Sequence, residues 1–404
     1  MAMAGPLVPS CSYCSSVRSN SISSIMDDTH SQARDRNSTY QYFEQQRRNA
    51  LRDVVPSEVR HRLTFHLDEC WFVHFSPSGE YLASIGLDQS IILWRDLMTP
   101  EPSIYKTLTF DRSVTRVTWS PNSKYLLINL GYNHMCPDSI YKVQLVDIES
   151  GETLFARDHQ ENTMTQDIAW FPDSERFLSV DDNGKFCIWN LKGEIIKEYL
   201  VDRKESGMRV RNIPGTDDFV VFTSSTRLEV HSFGKTHTIR HLGANIYQGT
   251  ALTVSEQGRY AAVTVRDDKA ILRPAHIVVY DLKAMAYLRS FEAETHFSQD
   301  FVIIPAFIGP NEEILSAGSE NGKLHFWDVE TGDLVSVLDE HSKHSGCITS
   351  NQVQPGMIAS SSDDNHIIVW VTKELQNELH DSDEKWMEER RKLARPAFDI
   401  KKGW

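Results

Sequence analysis

Short apolar runs separated by polar turn residues recur along most of the chain. From Phe301 to Val371 the sequence passes twice through three or four such runs. Each pass closes on a tryptophan, and these residues, Trp327 and Trp370, lie 43 positions apart. Apolar and polar residues that alternate with a period of two are typical of half-buried strands, and the Gly, Asn, Asp and Ser clusters between them favour tight turns. The pattern predicts an all-β protein built from repeated units.

The units are counted from the residue that ends the third predicted strand of each. Intervals between consecutive positions are 52, 43, 42, 49, 47 and 43 residues, which gives seven units without a gap. A four-stranded repeat of this length is typical of a β-propeller blade, and a strand near 59–66 is expected to complete the last blade and close the ring. The counted positions are Trp94, Val146, Trp189, His231, Tyr280, Trp327 and Trp370.

Composition divides the chain into three parts: residues 1–58, a propeller over 59–371, and a charged tail over 372–404. The first 38 residues are rich in Ser, Asn, Asp and Arg, so we expect disorder there. Residues 40–55 have helix-forming composition, and Pro56 ends that segment.

The charged tail is expected to be helical. Asp381 and Glu384 are spaced like a capping box, and Pro396 marks a stop. Leu379, Trp386 and Leu393 recur every seven residues and form a narrow apolar edge. Two interpretations stay open, a solvated helix and a helix that docks on a partner.

The charge and the cysteine content limit the functions and the cellular compartments that the sequence predicts. The formal net charge is −14, so nucleic-acid binding would require a local basic patch that the totals do not show. Cys70 and Cys187 fall in predicted strands and are expected to be free thiols of a reducing compartment. No apolar run reaches the length of a membrane helix, and no basic residue precedes the short apolar N-terminal segment. We expect a cytoplasmic or nuclear protein.

Two partial metal motifs are incomplete. Cys11 and Cys14 form a C-x-x-C without a second pair at zinc spacing. His341, His344 and Cys347 could supply three ligands from one loop, but a fourth ligand is not apparent. We therefore predict no metal site.

No catalytic or cofactor motif stands out either. Gly234, Lys235 and Thr236 resemble the end of a phosphate-binding loop, but Glu229 occupies the position where that loop requires glycine. No nucleophile elbow, zinc-protease helix or carboxylate pair is visible, so we predict neither catalytic residues nor a cofactor. An active site assembled from distant loops of a propeller channel remains a remote alternative.

The unit signature over 59–371, a Gly-His or substitute followed by strand, Ser-x-Asp, strand and Trp-Asp, resembles the WD40 family. The resemblance implies that an Asp six residues before the Trp caps a turn and bonds the His of the preceding loop. These residues would be structural, since buried polar groups must be paired. The His position is matched by His66, His159 and His341, the Asp position by Asp88 and Asp364, with Asn183 and Asn321 as substitutes.

The same resemblance implies a binding rim. Trp71 either dominates an interface there, as exposed tryptophans often do, or packs between blades one and two. Acidic members of the rim, exposed together, would favour a basic peptide or protein surface. The rim positions are Glu69, Trp71, Leu87, Thr115, Gln166, Asp182, His344 and Asp363.

Five segments resemble the WD-repeat subunit of the GID/CTLH ubiquitin-ligase complex: 67–84, 90–94, 114–127, 307–327 and 357–370. This implies a non-enzymatic scaffold or substrate-recruiting subunit whose partners are ligase subunits and substrates. Members of that family carry LisH and CTLH helical modules before the propeller, which we expect to be absent here or reduced to 40–55. A general WD40 adaptor in signalling, transport or chromatin is the alternative, and the oligomeric state stays open.

Overall fold

The computed structural model describes residues 44–131, 142–158, 164–200, 209–223, 227–234, 237–242, 249–266 and 274–393. The predicted disordered tail, Cys11, Cys14, His159, Lys235 and Thr236 lie outside these ranges. Within them, four-stranded antiparallel sheets repeat seven times, so the predicted seven-bladed propeller is confirmed.

Each sheet is a blade whose strands run outward from the centre in chain order, because tight turns connect consecutive strands. We number the blades from the first sheet made of four consecutive strands. Blade 1 contains β2 (Cys70–Phe75), β3 (Leu82–Gly86), β4 (Ser90–Arg95) and β5 (Ser103–Thr109); blade 2 contains β6 (Val114–Trp119), β7 (Tyr125–Leu130), β8 (Lys142–Asp147) and β9 (Thr153–Asp158); blade 3 contains β10 (Thr165–Trp170), β11 (Arg176–Asp181), β12 (Lys185–Asn190) and β13 (Ile195–Leu200).

The remaining blades follow the same order until the last one. Blade 4 contains β14 (Arg209–Asn212), β15 (Asp218–Phe222), β16 (Leu228–Phe233) and β17 (His237–His241); blade 5 contains β18 (Gly249–Val254), β19 (Tyr260–Val265), β20 (His276–Asp281) and β21 (Ala286–Phe291); blade 6 contains β22 (Ala306–Ile308), β23 (Ile314–Ala317), β24 (Lys323–Asp328) and β25 (Leu334–Asp339); blade 7 contains β26 (Ser345–Ser350), β27 (Met357–Ser362), β28 (Ile367–Val371) and, as its outermost strand, β1 (Glu58–Leu63).

Strand β1 closes the ring as the sequence predicted. It runs antiparallel to β28, with Glu58 opposite Val371 and Leu63 opposite Ile367. The innermost strands of blades 1 and 7 then meet, and the thiol of Cys347 donates to the carbonyl of Val73 at 3.4 Å. Because the first and last strands share one sheet, the two ends of the repeat array are tied together.

Apolar side chains fill the spaces between blades. Trp189, Trp327 and Trp370, three of the counted positions, are almost fully buried. One core cluster joins residues of blades 1, 2 and 7, and another joins blades 6 and 7. We call the face at which the innermost strands begin the upper face, and the face that carries the turns between first and second strands the lower face. The core therefore fixes the loops of both faces on a rigid ring.

Two helices accompany the propeller in the ranges that the structure describes. Helix α1 spans 44–54, and its Leu51 packs in the core cluster of blades 6 and 7. Helix α2 (Lys373–Leu393) follows blade 7 directly, and its Leu375 and Leu379 are buried in the core cluster that joins blades 1, 2 and 7. No helix in the described ranges is both long and apolar enough to cross a membrane.

The predicted charged C-terminal helix is thus confirmed, but two details of its interpretation change. Thr372 Oγ1 accepts the N–H of Leu375 at 3.2 Å and caps the helix, so the predicted capping box at Asp381 lies inside it. The helix is also not simply solvated. Arg60 of β1 makes two hydrogen bonds to the carboxylate of Asp383, at 2.6 and 2.8 Å. The helix docks on its own propeller.

Candidate functional site: the upper rim and the central channel

A chain of hydrogen-bonded side chains fixes the upper loops of blade 1. His66 Nδ1 lies 3.0 Å from Asp88 Oδ2, and His66 Nε2 lies 2.8 Å from Ser84 Oγ. The indole N–H of Trp94 donates to the same hydroxyl oxygen at 2.9 Å. Asp88 also accepts the backbone N–H of Leu67 at 2.9 Å. The network therefore joins the loop before β2, the turn before β4 and the core of the blade.

Hydrogen-bond chemistry assigns the protons in this network. The Asp88 carboxylate only accepts, so His66 carries its proton on Nδ1, and its Nε2 accepts from Ser84. Burial lowers the pKa of His66 although the Asp88 charge acts in the opposite direction. Burial alone would raise the pKa of Asp88, but hydrogen bonds from Ser90 and Leu67 lower it overall. A neutral imidazole bonded to a carboxylate is thus the state at neutral pH.

Blade 7 repeats this arrangement. His341 Nδ1 lies 3.1 Å from Asp364 Oδ2, and its Nε2 lies 2.8 Å from Ser360 Oγ. Trp370 Nε1 donates to Ser360 Oγ at 2.9 Å, and Ser342 N donates to Asp364 at 2.9 Å. The network residues predicted for blades 1 and 7 are therefore brought together within their blades.

Blades 3 and 6 use other side chains. In blade 3 the prediction that the Asn183 side chain caps the turn is wrong. The carboxylate of Asp181 caps it instead: Asp181 Oδ1 accepts the backbone N–H of Asn183 and of Lys185, both at 2.9 Å. The Asp181 carboxylate is buried at the end of β11, whereas the Asn183 side chain is exposed. In blade 6, Asn321 Oδ1 accepts Lys323 N at 3.2 Å, and its amide donates to the carbonyl of Thr295 at 2.9 Å.

Blade 4 holds a buried polar group that the sequence reasoning missed. Glu229 is 1% exposed, and its carboxylate lies 3.0 Å from His231 Nε2 and 2.9 Å from His241 Nδ1. Glu229 and His231 are two positions apart on β16 and so point to the same side of the sheet. A Glu-x-His pair inside a predicted buried strand was the signal that could have found it.

The rim positions of blade 1 lie together on the upper face. Trp71 and Leu87 are each 39% exposed, and the backbone N–H of Leu87 donates to the carbonyl of Glu69 at 2.8 Å. The indole N–H of Trp71 donates to Glu69 Oε2 at 3.0 Å, which holds the ring beside that carboxylate. Trp71 is thus only partly packed, and it presents an oriented aromatic surface to solvent.

An aromatic pair continues this surface at blade 7. The ring of Phe301 stacks on His344, with centroids 4.6 Å apart and planes 25° apart, and it remains 49% exposed. Asp363 Oδ2 lies 3.3 Å from His344 Nδ1. Gly346 connects the two clusters, because a Cβ atom there would lie 3.0 Å from His344 and 3.5 Å from the carbonyl oxygen of Trp71. Phe301 was not among the predicted rim residues.

The remaining rim positions are less prominent. Thr115 is exposed and donates to the carbonyl of Asn129 at 3.0 Å, Gln166 is half-buried, and Asp182 Oδ1 accepts Met164 N at 3.1 Å. The acidic rim groups therefore each have a partner within the chain. No basic-peptide site follows from them alone.

The central channel contains a cavity of about 390 Å³ lined by the innermost strands and their turns. Arg116 and Arg211 face it, and both approach the buried carboxylate of Asp167, at 3.7 and 2.5 Å. Burial alone would raise the pKa of Asp167, but the charges of Arg211, Arg116 and Arg209 lower it overall. Burial, together with the charges of Arg116 and Arg211, lowers the pKa of His74, another lining residue, to about 3, so it is neutral.

The candidate metal ligands face different partners. His341 belongs to the blade 7 network and His344 contacts Phe301 and Asp363. Cys347 is buried, and burial raises the pKa of its thiol to about 11. Among the residues that the structure describes, no group of three His, Cys, Asp or Glu side chains is arranged to hold a metal ion.

Comparisons with known proteins agree with this architecture. The WD domain, G-beta repeat family matches residues 57–95, which contain β1 to β4. The chain is 27% identical over 324 residues to the WD repeat-containing protein WDS homolog of Arabidopsis thaliana, and 25% identical over 318 residues to the WD repeat-containing protein 26 homolog of the same plant. These alignments cover 79% and 78% of this chain, and 58% and 51% of those proteins.

The repeat match and the closed ring of seven four-stranded sheets define the class: the chain is a WD40-repeat β-propeller. Proteins of this class generally serve as non-enzymatic scaffolds that mediate protein–protein interactions. More particularly, the chain resembles GID complex subunit 7 of Schizosaccharomyces pombe, with 25% identity over 326 residues, 79% of this chain and 60% of that protein. The chain thus spans half to three fifths of the length of these relatives.

Proposed function

We propose that this chain is a non-enzymatic scaffold that recruits or organises proteins within a GID/CTLH-like ubiquitin-ligase complex. The observation that carries the proposal is the similarity to GID complex subunit 7, which extends over 79% of the chain and therefore over most of the propeller. The mechanism is positioning: the propeller holds a partner while another subunit transfers ubiquitin. No residue of this chain is assigned to the transfer itself.

The upper rim is the surface we assign to partner binding. Trp71 and Phe301 expose aromatic area, and each ring is oriented by a neighbour, Glu69 for the first and His344 for the second. Aromatic side chains that are already ordered lose little conformational entropy on binding, so they are effective anchors of interfaces. Leu87, beside Trp71, and the loop that carries Phe301 extend the exposed apolar area.

The loop that carries Phe301 is itself held in place. One carboxylate oxygen of Glu320 accepts the backbone N–H groups of Gln299, Asp300 and Phe301, the last two at 2.7 and 3.0 Å. Charge-assisted bonds of this kind are stronger than neutral ones. The rim therefore offers a preformed surface rather than a loop that must order on binding.

Affinity purification of the full chain at low salt tests the proposal. Recovery of a RING-type ligase subunit supports it, recovery of other stable partners favours the general WD40 adaptor, and turnover of a small molecule by the purified chain would favour a propeller enzyme. A Trp71→Ala, Phe301→Ala double variant should lose the ligase subunit. Tyr287→Ala, which removes a 56% exposed aromatic ring from the outermost strand of blade 5, is the matched control.

We also propose that the protein is located in the cytosol or nucleus. Cys70, Cys187 and Cys347 are buried free thiols, and proteins of oxidising compartments tend to pair such cysteines. Fractionation of cells that express the tagged chain tests this location.

A further inference from the structure

Seven equivalent positions surround the lower mouth of the channel. Each is the second residue after the end of an innermost strand, and all seven turns lie in the described ranges. Five of the positions carry proline, whereas blade 5 carries a glutamate and blade 7 a glutamine. All except Pro310 line the channel cavity. In chain order the positions are Pro77, Pro121, Pro172, Pro214, Glu256, Pro310 and Gln352.

This mouth is rich in hydrogen-bond acceptors and poor in donors. A proline has a carbonyl group but no backbone N–H, so five of the seven positions can only accept. The side-chain amide of Gln352 donates to Glu256 Oε2 at 2.5 Å, and that of Gln257 donates to the carbonyl of Pro310 at 2.9 Å. Both donors are neutral and leave the charge of Glu256 in place. A ligand of this mouth should therefore bring hydrogen-bond donors and positive charge.

A second carboxylate adds to the negative charge at the mouth. Glu312 is 3% exposed, and its Oε1 accepts the backbone N–H of Gln257, the residue next to Glu256, at 2.5 Å. Its Oε2 is buried without a hydrogen-bond partner in the described structure, so its charge acts through space. Glu256 itself is exposed at the mouth. Reduced solvation of its carboxylate raises the pKa of Glu256 to about 7, and the charge of Glu312 acts in the same direction.

The positive groups of the channel do not compensate these two acids. Arg116 and Arg211 act on Asp167, but neither is among the groups that shift the pKa of Glu256. Neither Glu256 nor Glu312 forms an ion pair in the described part of the chain. The lower mouth therefore lacks a cationic side chain of its own.

We propose that the lower mouth receives a lysine side chain of a protein partner, whose ammonium group binds Glu256 while its aliphatic part packs against the proline rings. An ammonium has three donors and no acceptor, which matches a mouth of carbonyl groups and carboxylates. The four-carbon stem of lysine packs on apolar surface while the charged end stays in a polar environment. Complementary charge of this kind favours one class of partner over others. The mouth lies on the face opposite the rim, so the proposal does not depend on membership of a ligase complex.

Saturation-transfer NMR on the full chain tests the proposal at pH 8, where Glu256 is ionised. The probes are a capped Gly-Lys-Gly peptide and the same peptide with an acetylated lysine, which keeps the stem but loses the charge. We expect saturable binding of the lysine peptide in the millimolar range, weakened by added sodium chloride. The acetylated peptide should bind at least about tenfold more weakly, since a hydrogen bond between charged groups is lost. Absence of saturable binding by the lysine peptide, or equal binding of the two peptides, would overturn the proposal.

Variants localise the site. Glu256→Pro gives blade 5 the residue that five other turns carry, and the backbone N–H that it removes makes no hydrogen bond among the described residues. This variant and Glu256→Gln should each weaken binding of the lysine peptide at least about tenfold. Glu175→Gln changes an exposed acid in the equivalent turn of blade 3, outside the cavity, and should leave binding unchanged. Wild-type affinity in either folded Glu256 variant would refute the assignment, and the glutamine variant keeps the test decisive if the proline variant fails to fold.

Discussion

Replacement of Ser360 by alanine is the sharpest test of the blade 7 network. The Ser360 hydroxyl is fully buried, accepts the indole N–H of Trp370 at 2.9 Å and lies 2.8 Å from His341 Nε2. Alanine leaves both of these groups in place but removes their shared partner. The adjacent residue provides a matched control, because Ser361 is equally buried and its hydroxyl has no hydrogen-bond partner in the described structure.

The expected magnitude follows from the two groups that lose their partner. Each buried polar group left unpaired costs about 1–3 kcal/mol, so Ser360→Ala should lower the free energy of unfolding by about 2–6 kcal/mol. A propeller of roughly 300 residues unfolds with an entropy of about 0.6 kcal/mol/K, which converts this loss to a Tm decrease of about 3–10 °C. Ser361→Ala removes an unpaired hydroxyl and should change Tm by less than about 2 °C.

Calorimetry of the two variants at pH 7, supported by urea denaturation followed by tryptophan fluorescence, measures the difference. Trp370→Phe completes a double-mutant cycle: its cost should be smaller in the Ser360→Ala background, because the indole N–H has already lost its acceptor there. Equal Tm values for Ser360→Ala and Ser361→Ala would refute the assigned role of the hydroxyl.

Three further predictions concern other parts of the chain. Asp383→Asn weakens the paired hydrogen bonds to Arg60, so hydrogen exchange along α2 should accelerate, whereas Asp381→Asn, on an exposed position of the same helix, should leave exchange unchanged. Burial alone would raise the pKa of Asp364, but the His341 network lowers this pKa below its ordinary value. The ionised carboxylate therefore adds stability above about pH 4, and this stability is lost as the pH falls further. Asp364→Asn should flatten the decline of Tm between pH 5 and pH 3. Glu229→Gln removes the charge shared by two histidines of blade 4 and should lower the urea midpoint by an amount equivalent to about 1–3 kcal/mol; an unchanged midpoint would contradict the pairing.

The fold could be predicted because each blade is encoded locally. Alternating apolar residues and turn residues recur at nearly constant spacing, and antiparallel strands joined by short turns can pair only with their neighbours. The closing strand β1 was predictable from the need to tie the ring. The helix cap was not, since Thr372 follows β28 without a loop and the better-known spacing at Asp381 lies nine residues further on.

The polar networks were predictable only where spacing alone determines the geometry. Asp88 and Asp364 occupy a fixed offset from a tryptophan, and their side chains do bond the histidine of the preceding loop. In blade 3 the same offset selects Asn183, but a carboxylate two residues earlier also reaches the turn amides. Two residues that both fit the turn are distinguished by the direction of the side chain, which depends on the strand register and not on the spacing.

The channel cluster shows how the ring creates charge that the totals conceal. Arg116, Asp167 and Arg211 lie on three different blades, and the last two are 44 residues apart in sequence. Each is nevertheless the third residue of the innermost strand of its blade, the position that Phe72 and Cys347 occupy on blades 1 and 7. Equivalent positions of a closed propeller face one another across the channel, so residues that are distant in sequence form one layer. An overall acidic composition therefore does not decide which charge a ligand meets in the channel; the third position of each inner strand does.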